Sequence, residues 1–213
     1  MAQYSVQDRL NQFGKEARAR MQPAFAREYI EYPPQEATLV AFKLEKRLEL
    51  YAKDKNGKWR FIKNFPICML SGGSGPKLRQ GDLQVPEGMY GIELLNPNSS
   101  YHVSLRLDYP NAYDRKMAHQ DKRSDLGSDI MIHGKCVSIG CLAMGDSAAE
   151  ELFTLASDVG LAHTHVIIAP WDMRYSDIAK MHLPPTVPTW TLDLYQSIAT
   201  ELKHFPVTPT KKE

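Results

Sequence analysis

The stretch from Asp129 to Asp146, DIMIHGKCVSIGCLAMGD, holds the two side chains best suited to covalent chemistry, Cys141 and His133. A free thiol is only a few per cent thiolate at neutral pH, so a cysteine nucleophile needs a base or a positive field beside it. His133 stands eight positions before Cys141, and a hairpin between them could bring imidazole and sulfur together. The pair would then do acyl transfer. Sulfur attacks a carbonyl to give a thioester, and the imidazole moves the proton to the leaving amine. Gly140 lets the backbone approach a substrate closely, and N–H groups at Gly140 and Cys141 aimed at one point could hold a developing oxyanion. Ser138 is a candidate hydrogen-bonding partner within this turn, and the Gly134 carbonyl is a candidate for orienting the imidazole. The plainer alternative is a buried structural thiol, an ordinary histidine and a turn glycine. Residue types and spacing leave both readings open, because Cys/His signatures do not transfer between families.

To position such a pair, the segment must fold as strand, turn and helix. Ile130, Met131 and Ile132 are apolar and β-prone. Ser147–Val159 reads as a helix, capped by Ser147 with Glu150 closing a capping box, and with Ala148, Leu152, Leu155 and Ala156 on one face. Upstream, strands are expected at Thr38–Lys43, Arg47–Ala52, Trp59–Cys68, Met89–Leu95 and Tyr101–Leu107. Turns fall at Asp54–Gly57 and at Asn96-Pro97-Asn98. A final apolar strand is expected at His163–Ala169, followed by Trp171–Tyr175 as a strand edge beside the site. Residues 5–31 read as an amphipathic helix capped by Ser5, with Val6, Leu10, Phe13, Ala17 and Met21 on one side and a break at Pro23. Arg18, Arg20 and Arg27 read as its solvated face, or alternatively as a patch for anionic glycan or lipid. Tyr32-Pro33-Pro34 and Pro184, Pro185 and Pro188 read as linkers, and Trp190–His204 as a last helix before a Pro- and Lys-rich tail. The fold class expected from these elements is mainly β (α+β), organised as a helical segment 1–34, a catalytic domain 35–180, and a linker with helix 181–213.

Two further segments carry chemistry-bearing residues. Ser71–Gly81 is glycine-rich, but no helix-forming Ser or Thr follows Lys77, so a nucleotide-binding loop is rejected. Lys77 and Arg79 could contact a substrate carboxylate, or could simply belong to a solvated turn. Asn111–Ser128 is long and polar and reads as a lid or substrate-binding loop. Tyr113 and Arg115 are its candidate positioning residues, since arginine can grip a carboxylate with two parallel bonds. The alternative is a turn with a surface ion pair.

The 213 residues carry 26 basic and 25 acidic side chains, a net charge of +1, which gives no argument for a nucleic-acid partner. No apolar run is long enough to cross a bilayer. Cysteine and histidine spacings, including His163, His165, His182 and His204, imply no metal, and no cofactor is expected. Three cysteines leave at least one free thiol, with Cys141 the candidate. A Cys68–Cys136 bridge could form in an oxidising compartment.

HGKCVSIGCLAM resembles the active-site segment of the L,D-transpeptidase catalytic domain (YkuD) family, and most resembles its YafK-like branch, where the segment reads H-G-x-C-V-S-x-G-C-x-A-M. The segments from Ser71 to Asp82 and from Pro86 to Tyr90 resemble the family's S-G-G-x-G-P-K…Q-G-D…P-E-G-x-Y pattern. Asn96–His102 and Pro110–Arg115 resemble the segment that follows. The resemblance spans residues 38–170. It implies a β-sandwich or mixed-sheet core with a helix after Cys141 and helices at both termini, with Cys141 as nucleophile and His133 as acid and base. Many members carry Ser-His-Gly-Cys at the nucleophile, whereas this chain has Ser138-Ile139-Gly140-Cys141. The absent histidine weakens an inference to peptidoglycan cross-linking. The YafK-like resemblance implies hydrolysis at diaminopimelate that releases wall-linked lipoprotein, with transpeptidation between stem peptides as the alternative. The same thiol chemistry on another amide, or a non-catalytic wall-binding module, are further alternatives. The family points to a periplasmic or cell-envelope location. Met1-Ala2-Gln3-Tyr4 leads into a polar stretch without a signal peptide, which would mean a cytoplasmic protein if Met1 is the native start.

Overall fold

A computed structural model describes residues 3–207. The Pro- and Lys-rich tail expected after the last helix lies outside the described residues. Eight strands form one curled mixed sheet in the order β3-β2-β1-β8-β4-β5-β6-β7. They are β1 (Ala37–Phe42), β2 (Arg47–Lys53), β3 (Trp59–Pro66), β4 (Gly88–Asn96), β5 (Ser104–Leu107), β6 (Met131–His133), β7 (Leu142–Ala143) and β8 (Thr164–Ala169). The helices are α1 (Val6–Arg9), α2 (Lys15–Arg27), α3 (Ala112–Gln120), α4 (Asp146–Val159) and α5 (Thr191–Leu202). The expected class, a mainly β α+β fold with a mixed-sheet core and helices at both termini and after Cys141, is the one observed.

The sheet is covered on both faces, which is why its central strands read as apolar runs. Along β1, Leu39 and Ala41 enter the core under α2 and α4, while Val40 and Phe42 enter the core under α5. In β8, Val166 and Ile168 take the first face and Ile167 the second. β1 and β8 are parallel, with Leu39 opposite Val166. β2 joins β1 and β3 antiparallel, giving the expected hairpin. Glu49 and Tyr51 of β2 are as buried as Leu48 and Leu50, because the second face is roofed by α5 and by a buried ionic cluster. In that cluster Arg174 Nη2 reaches Glu49 at 3.0 Å and Asp172 at 2.7 Å, and Arg47 reaches Asp172 at 2.6 Å.

Several local expectations are corrected. Pro23 does not break the N-terminal helix, since α2 runs through it to Arg27. Ala17, Met21, Ala24 and Phe25 pack into the core on both sides of the proline, and this burial outweighs one lost backbone bond. The irregularity comes earlier, as a π turn over Leu10–Gly14, after the Ser5–Asp8 capping box. Arg18 and Arg20 are not a solvated face. Arg18 grips Asp158 with two bonds at 2.7 Å, and Arg20 reaches Glu150 and Glu151 at 2.9 Å, docking α2 onto α4. Ser147 does not cap α4, whose N-cap is Gly145, and Glu150 is spent on Arg20 and His102.

The polar segment expected as a loop carries α3. Asn111 and Asp114 form a capping box, and Met117 and Ala118 are buried. The strand expected from Tyr101 begins only at Ser104, because His102 adopts a left-handed backbone at φ +78°. Trp171–Tyr175 is not a strand edge. Met173–Tyr175 is a single 3-10 turn capped by Asp172, which seats Arg174 in the ionic cluster.

Candidate active site

His133 ends β6, and Cys141 lies in the bend that leads into β7, the two strands at one edge of the sheet. β6 and β7 run parallel, with Ile132 opposite Leu142 and His133 opposite Ala143. Cys141 immediately precedes β7, two residues before Ala143. Leu142, the residue after Cys141, is thus paired with Ile132, the residue before His133, so the backbones of the two candidates lie on neighbouring segments.

His133 is held tightly. It is buried, at 2% exposure. Its Nδ1 lies 2.6 Å from the Gly134 carbonyl oxygen, which accepts the ring N–H. That bond fixes the tautomer and leaves Nε2 as the basic nitrogen. Tyr101 lies against the ring, with centroids 4.6 Å apart and planes tilted by 31°. Gly134 is required by close approach. A β-carbon there would lie 2.6 Å from Asp146 Oδ1 and 2.7 Å from the Tyr101 carbonyl oxygen. The turn beyond is stapled on both sides, since Lys135 N–H donates to Asp146 at 2.8 Å and Lys135 Nζ donates to the Ser100 carbonyl at 2.9 Å.

Cys141 is the free cysteine and is partly buried. Cys68 and Cys136 form a disulfide with α-carbons 5.4 Å apart. The bridge ties the loop between His133 and Cys141 to the chain just after β3. Met69 reinforces it by exchanging backbone bonds with Ala143 at 3.2 and 3.0 Å. A structural disulfide fits a protein that matures outside the reducing cytosol.

The thiol lies 3.7 Å from the Asp129 carbonyl oxygen, to which it donates. Burial pushes its pKa up and the Asp129 charge adds to this, while the Met131 N–H and the Lys77 ammonium pull it down, with a net rise. Burial pushes the His133 pKa down, only partly offset by its bond to Gly134. Both shifts favour the neutral forms. A neutral imidazole beside a thiol suits proton transfer concerted with attack on a carbonyl.

The backbone donors near the nucleophile are engaged. Cys141 N–H donates to Ser138 Oγ at 3.0 Å, and Ser138 Oγ donates to the Cys141 carbonyl at 2.6 Å. Gly140, with φ +100° in a region that favours glycine, donates its N–H to Ser71 Oγ at 2.6 Å. Ser71 was not singled out from sequence. Its signal was its place at the head of the glycine-rich segment, which wraps back onto the Cys141 turn.

The other expected residues are distributed unevenly. Lys77 is buried and paired with Asp82 at 2.6 Å, so it reaches Cys141 through its field. Arg79 is exposed. Tyr113 packs edge-on against Trp190, with centroids 6.2 Å apart, and Arg115 is exposed on the same helix. Among the described residues, no hydrogen bond, ion pair or ring contact joins Tyr113 or Arg115 to the Cys141 turn. Also missed from sequence was the support under the glycine-rich segment. Lys43 and Glu87, both buried, pair at 2.9 Å, and Glu87 accepts the Gly75 N–H at 2.8 Å. Among the described residues, no group of three His, Cys, Asp or Glu side chains is arranged to hold a metal ion, and no helix is long and apolar enough to cross a membrane.

The sequence profile of the L,D-transpeptidase catalytic domain (YkuD) matches residues 37–168. The protein named "Putative L,D-transpeptidase YafK" of Escherichia coli K12 is 39% identical over 144 residues, covering 65% of this chain and 56% of that protein. The same-named protein of strain O157:H7 matches equally. The chain thus spans little more than half the length of the curated relatives it matches. The crystal structure of the helical cell shape determining protein Pgp2 from Campylobacter jejuni superposes with a TM-score of 0.50 at 25% identity, covering 62% of this chain and 47% of that one. A point mutant of Pgp2 shares the fold with a TM-score of 0.50 at 20% identity, covering 81% and 56%.

Proposed function

The chain belongs to the L,D-transpeptidase catalytic domain (YkuD) family, and from that premise we propose that it is a cysteine-dependent acyl-transfer enzyme of peptidoglycan remodelling in the cell envelope. Its preferred reaction is hydrolysis of an amide bond at diaminopimelate, releasing covalently attached lipoprotein. The observation that supports this reading is the β6–β7 register, which pairs Ile132 with Leu142 and so brings the residues next to His133 and Cys141 together, while the Gly134 carbonyl accepts the imidazole Nδ1–H.

Cys141 sulfur attacks the substrate carbonyl as its proton passes to His133 Nε2. The carbon–nitrogen bond then breaks, the leaving amine takes the proton from His133, and a thioester remains on Cys141. Water, deprotonated by His133, hydrolyses the thioester and restores the free thiol. Burial of both groups favours the neutral starting pair. Arg79 and Arg115 offer exposed guanidinium groups to stem-peptide carboxylates, whereas the Lys77 ammonium is held by Asp82 and acts on the thiol by its charge. Ser138 holds the nucleophile's backbone in place. The name of Pgp2 as a cell-shape protein supports a substrate in the wall.

Transpeptidation is the second reading. It is favoured by the name of the Escherichia coli relative, and it differs only in the amine that takes the acyl group. Muropeptide analysis of sacculi incubated with the enzyme separates the two. Hydrolysis leaves the cross-linked dimer fraction unchanged while freeing amines, and transpeptidation creates new dimers.

A further inference from the structure

We propose that the hydroxyl of Ser71 is the donor that stabilises the oxyanion when Cys141 attacks a carbonyl, an assignment that rests on the acyl-transfer reading above. Expectation from sequence gives that role to the Gly140 and Cys141 N–H groups. In the structure neither is bare. Cys141 N–H is taken by Ser138 Oγ at 3.0 Å and Gly140 N–H by Ser71 Oγ at 2.6 Å. The two serines differ in what their own protons do. Ser138 spends its proton on the Cys141 carbonyl at 2.6 Å. Ser71 accepts from Gly140, and among the described residues its proton has no acceptor. A hydroxyl has one donor and two acceptor sites, so Ser71 keeps one unspent donor, one hydrogen bond away from the residue preceding the nucleophile. Accepting a short bond from Gly140 polarises that O–H and strengthens it as a donor.

The hydroxyl is also preorganised, which is what makes such a donor effective. Ser71 follows the Cys68 disulfide and the Met69–Ala143 bridge by a few residues. Downstream, Gly73 N–H is held by Gln84 at 3.0 Å and Gly75 N–H by buried Glu87 at 2.8 Å. The segment therefore meets the Cys141 turn as a braced wall. In the reaction, the bond from sulfur to the carbonyl carbon forms and the π electrons move onto oxygen. Ser71 donates to that oxygen without transferring its proton, and the carbonyl re-forms as the carbon–nitrogen bond breaks.

The test compares two electrophiles on one thiol. Iodoacetamide alkylates sulfur at a saturated carbon and develops no oxyanion, whereas p-nitrophenyl acetate acylates it through one. Intact-mass spectrometry follows each adduct, with Cys141→Ala as background. Ser71→Ala is expected to slow acylation on the order of a hundredfold while leaving alkylation unchanged, and Ser71→Thr is expected to restore acylation. Should Ser71→Ala fail to fold, Ser71→Thr and Ser71→Val, alike in shape and differing in the hydroxyl, give the same contrast. Equal slowing of both reactions, or acylation that is unchanged or faster in Ser71→Ala, overturns the assignment. A wild-type protein whose Cys141 alkylates but never acylates overturns the acyl-transfer reading itself, and this inference with it.

Discussion

The Gly134 carbonyl oxygen lies 2.6 Å from Nδ1 of His133, so the residue after the histidine sets which ring nitrogen can act as base. Gly134 is also packed against Asp146 and Tyr101 with no room for a β-carbon. Gly134→Ala is expected to cost about 1–3 kcal/mol through overpacking and to swing the imidazole off its bond. Denaturant unfolding and Cys141-dependent turnover, measured on the same preparation, should both fall. Unchanged turnover would show that the carbonyl does not position the base.

The pH response of Cys141 follows from its surroundings. Burial and the Asp129 charge raise the thiol pKa, while Met131 and Lys77 lower it. Iodoacetamide alkylation should therefore climb with pH to a midpoint above that of an ordinary cysteine. Asp129→Asn removes a raising charge and suits the left-handed backbone found there, φ +57°, so its midpoint should move down. A midpoint that moves up, or one below the ordinary thiol range in the wild type, would contradict this account of the site.

The disulfide joins residues 68 positions apart and tethers the loop between His133 and Cys141. Replacing Cys68 and Cys136 together by serine should lower stability by about 2–5 kcal/mol. Under non-reducing conditions the native protein should take up one alkyl label, on Cys141. Three labels without reductant would show that the bridge is not formed.

The Lys43–Glu87 pair sits beneath the glycine-rich segment with both side chains buried. Glu87→Ala leaves the ammonium uncompensated and is expected to destabilise the fold by about 3–5 kcal/mol. Replacing both residues with apolar ones of similar size should cost less than the single change. A denaturation series on the single and double variants measures the difference.

Much of this was legible in the chain because it is local. The β-prone run at Thr38–Lys43, the alternation at Arg47–Ala52 and the runs at Trp59–Cys68 and Met89–Leu95 marked β1 to β4, and the apolar stretch at His163–Ala169 marked β8. The Cys141 and His133 candidates came from residue type, spacing and resemblance, and the β6–β7 register pairs the residues beside them, Ile132 and Leu142. What stayed hidden depends on pairing across the fold. Arg18 and Arg20 looked like a solvated face because their partners, Asp158, Glu150 and Glu151, lie more than a hundred residues away. Asn111–Ser128 looked like a loop because its helix is short and sits in a mostly polar segment, relying on a capping box and on buried Met117 and Ala118 for its place. Ser71 could not be weighed, since its importance lies in meeting Gly140, 69 positions later. Lys43, a lone lysine ending an apolar run, was the one visible trace of the ion pair with Glu87.

The most direct test of the central claim is incubation of sacculi carrying covalently bound lipoprotein with the wild type, Cys141→Ala and His133→Ala, followed by mass spectrometry of the soluble fraction. The wild type should release lipoprotein, Cys141→Ala should release none, and His133→Ala should be slowed on the order of a hundred- to ten-thousandfold. Equal release by wild type and Cys141→Ala, or no change in either lipoprotein or cross-links with a folded wild-type enzyme, would contradict a Cys141-dependent acyl transfer on the wall.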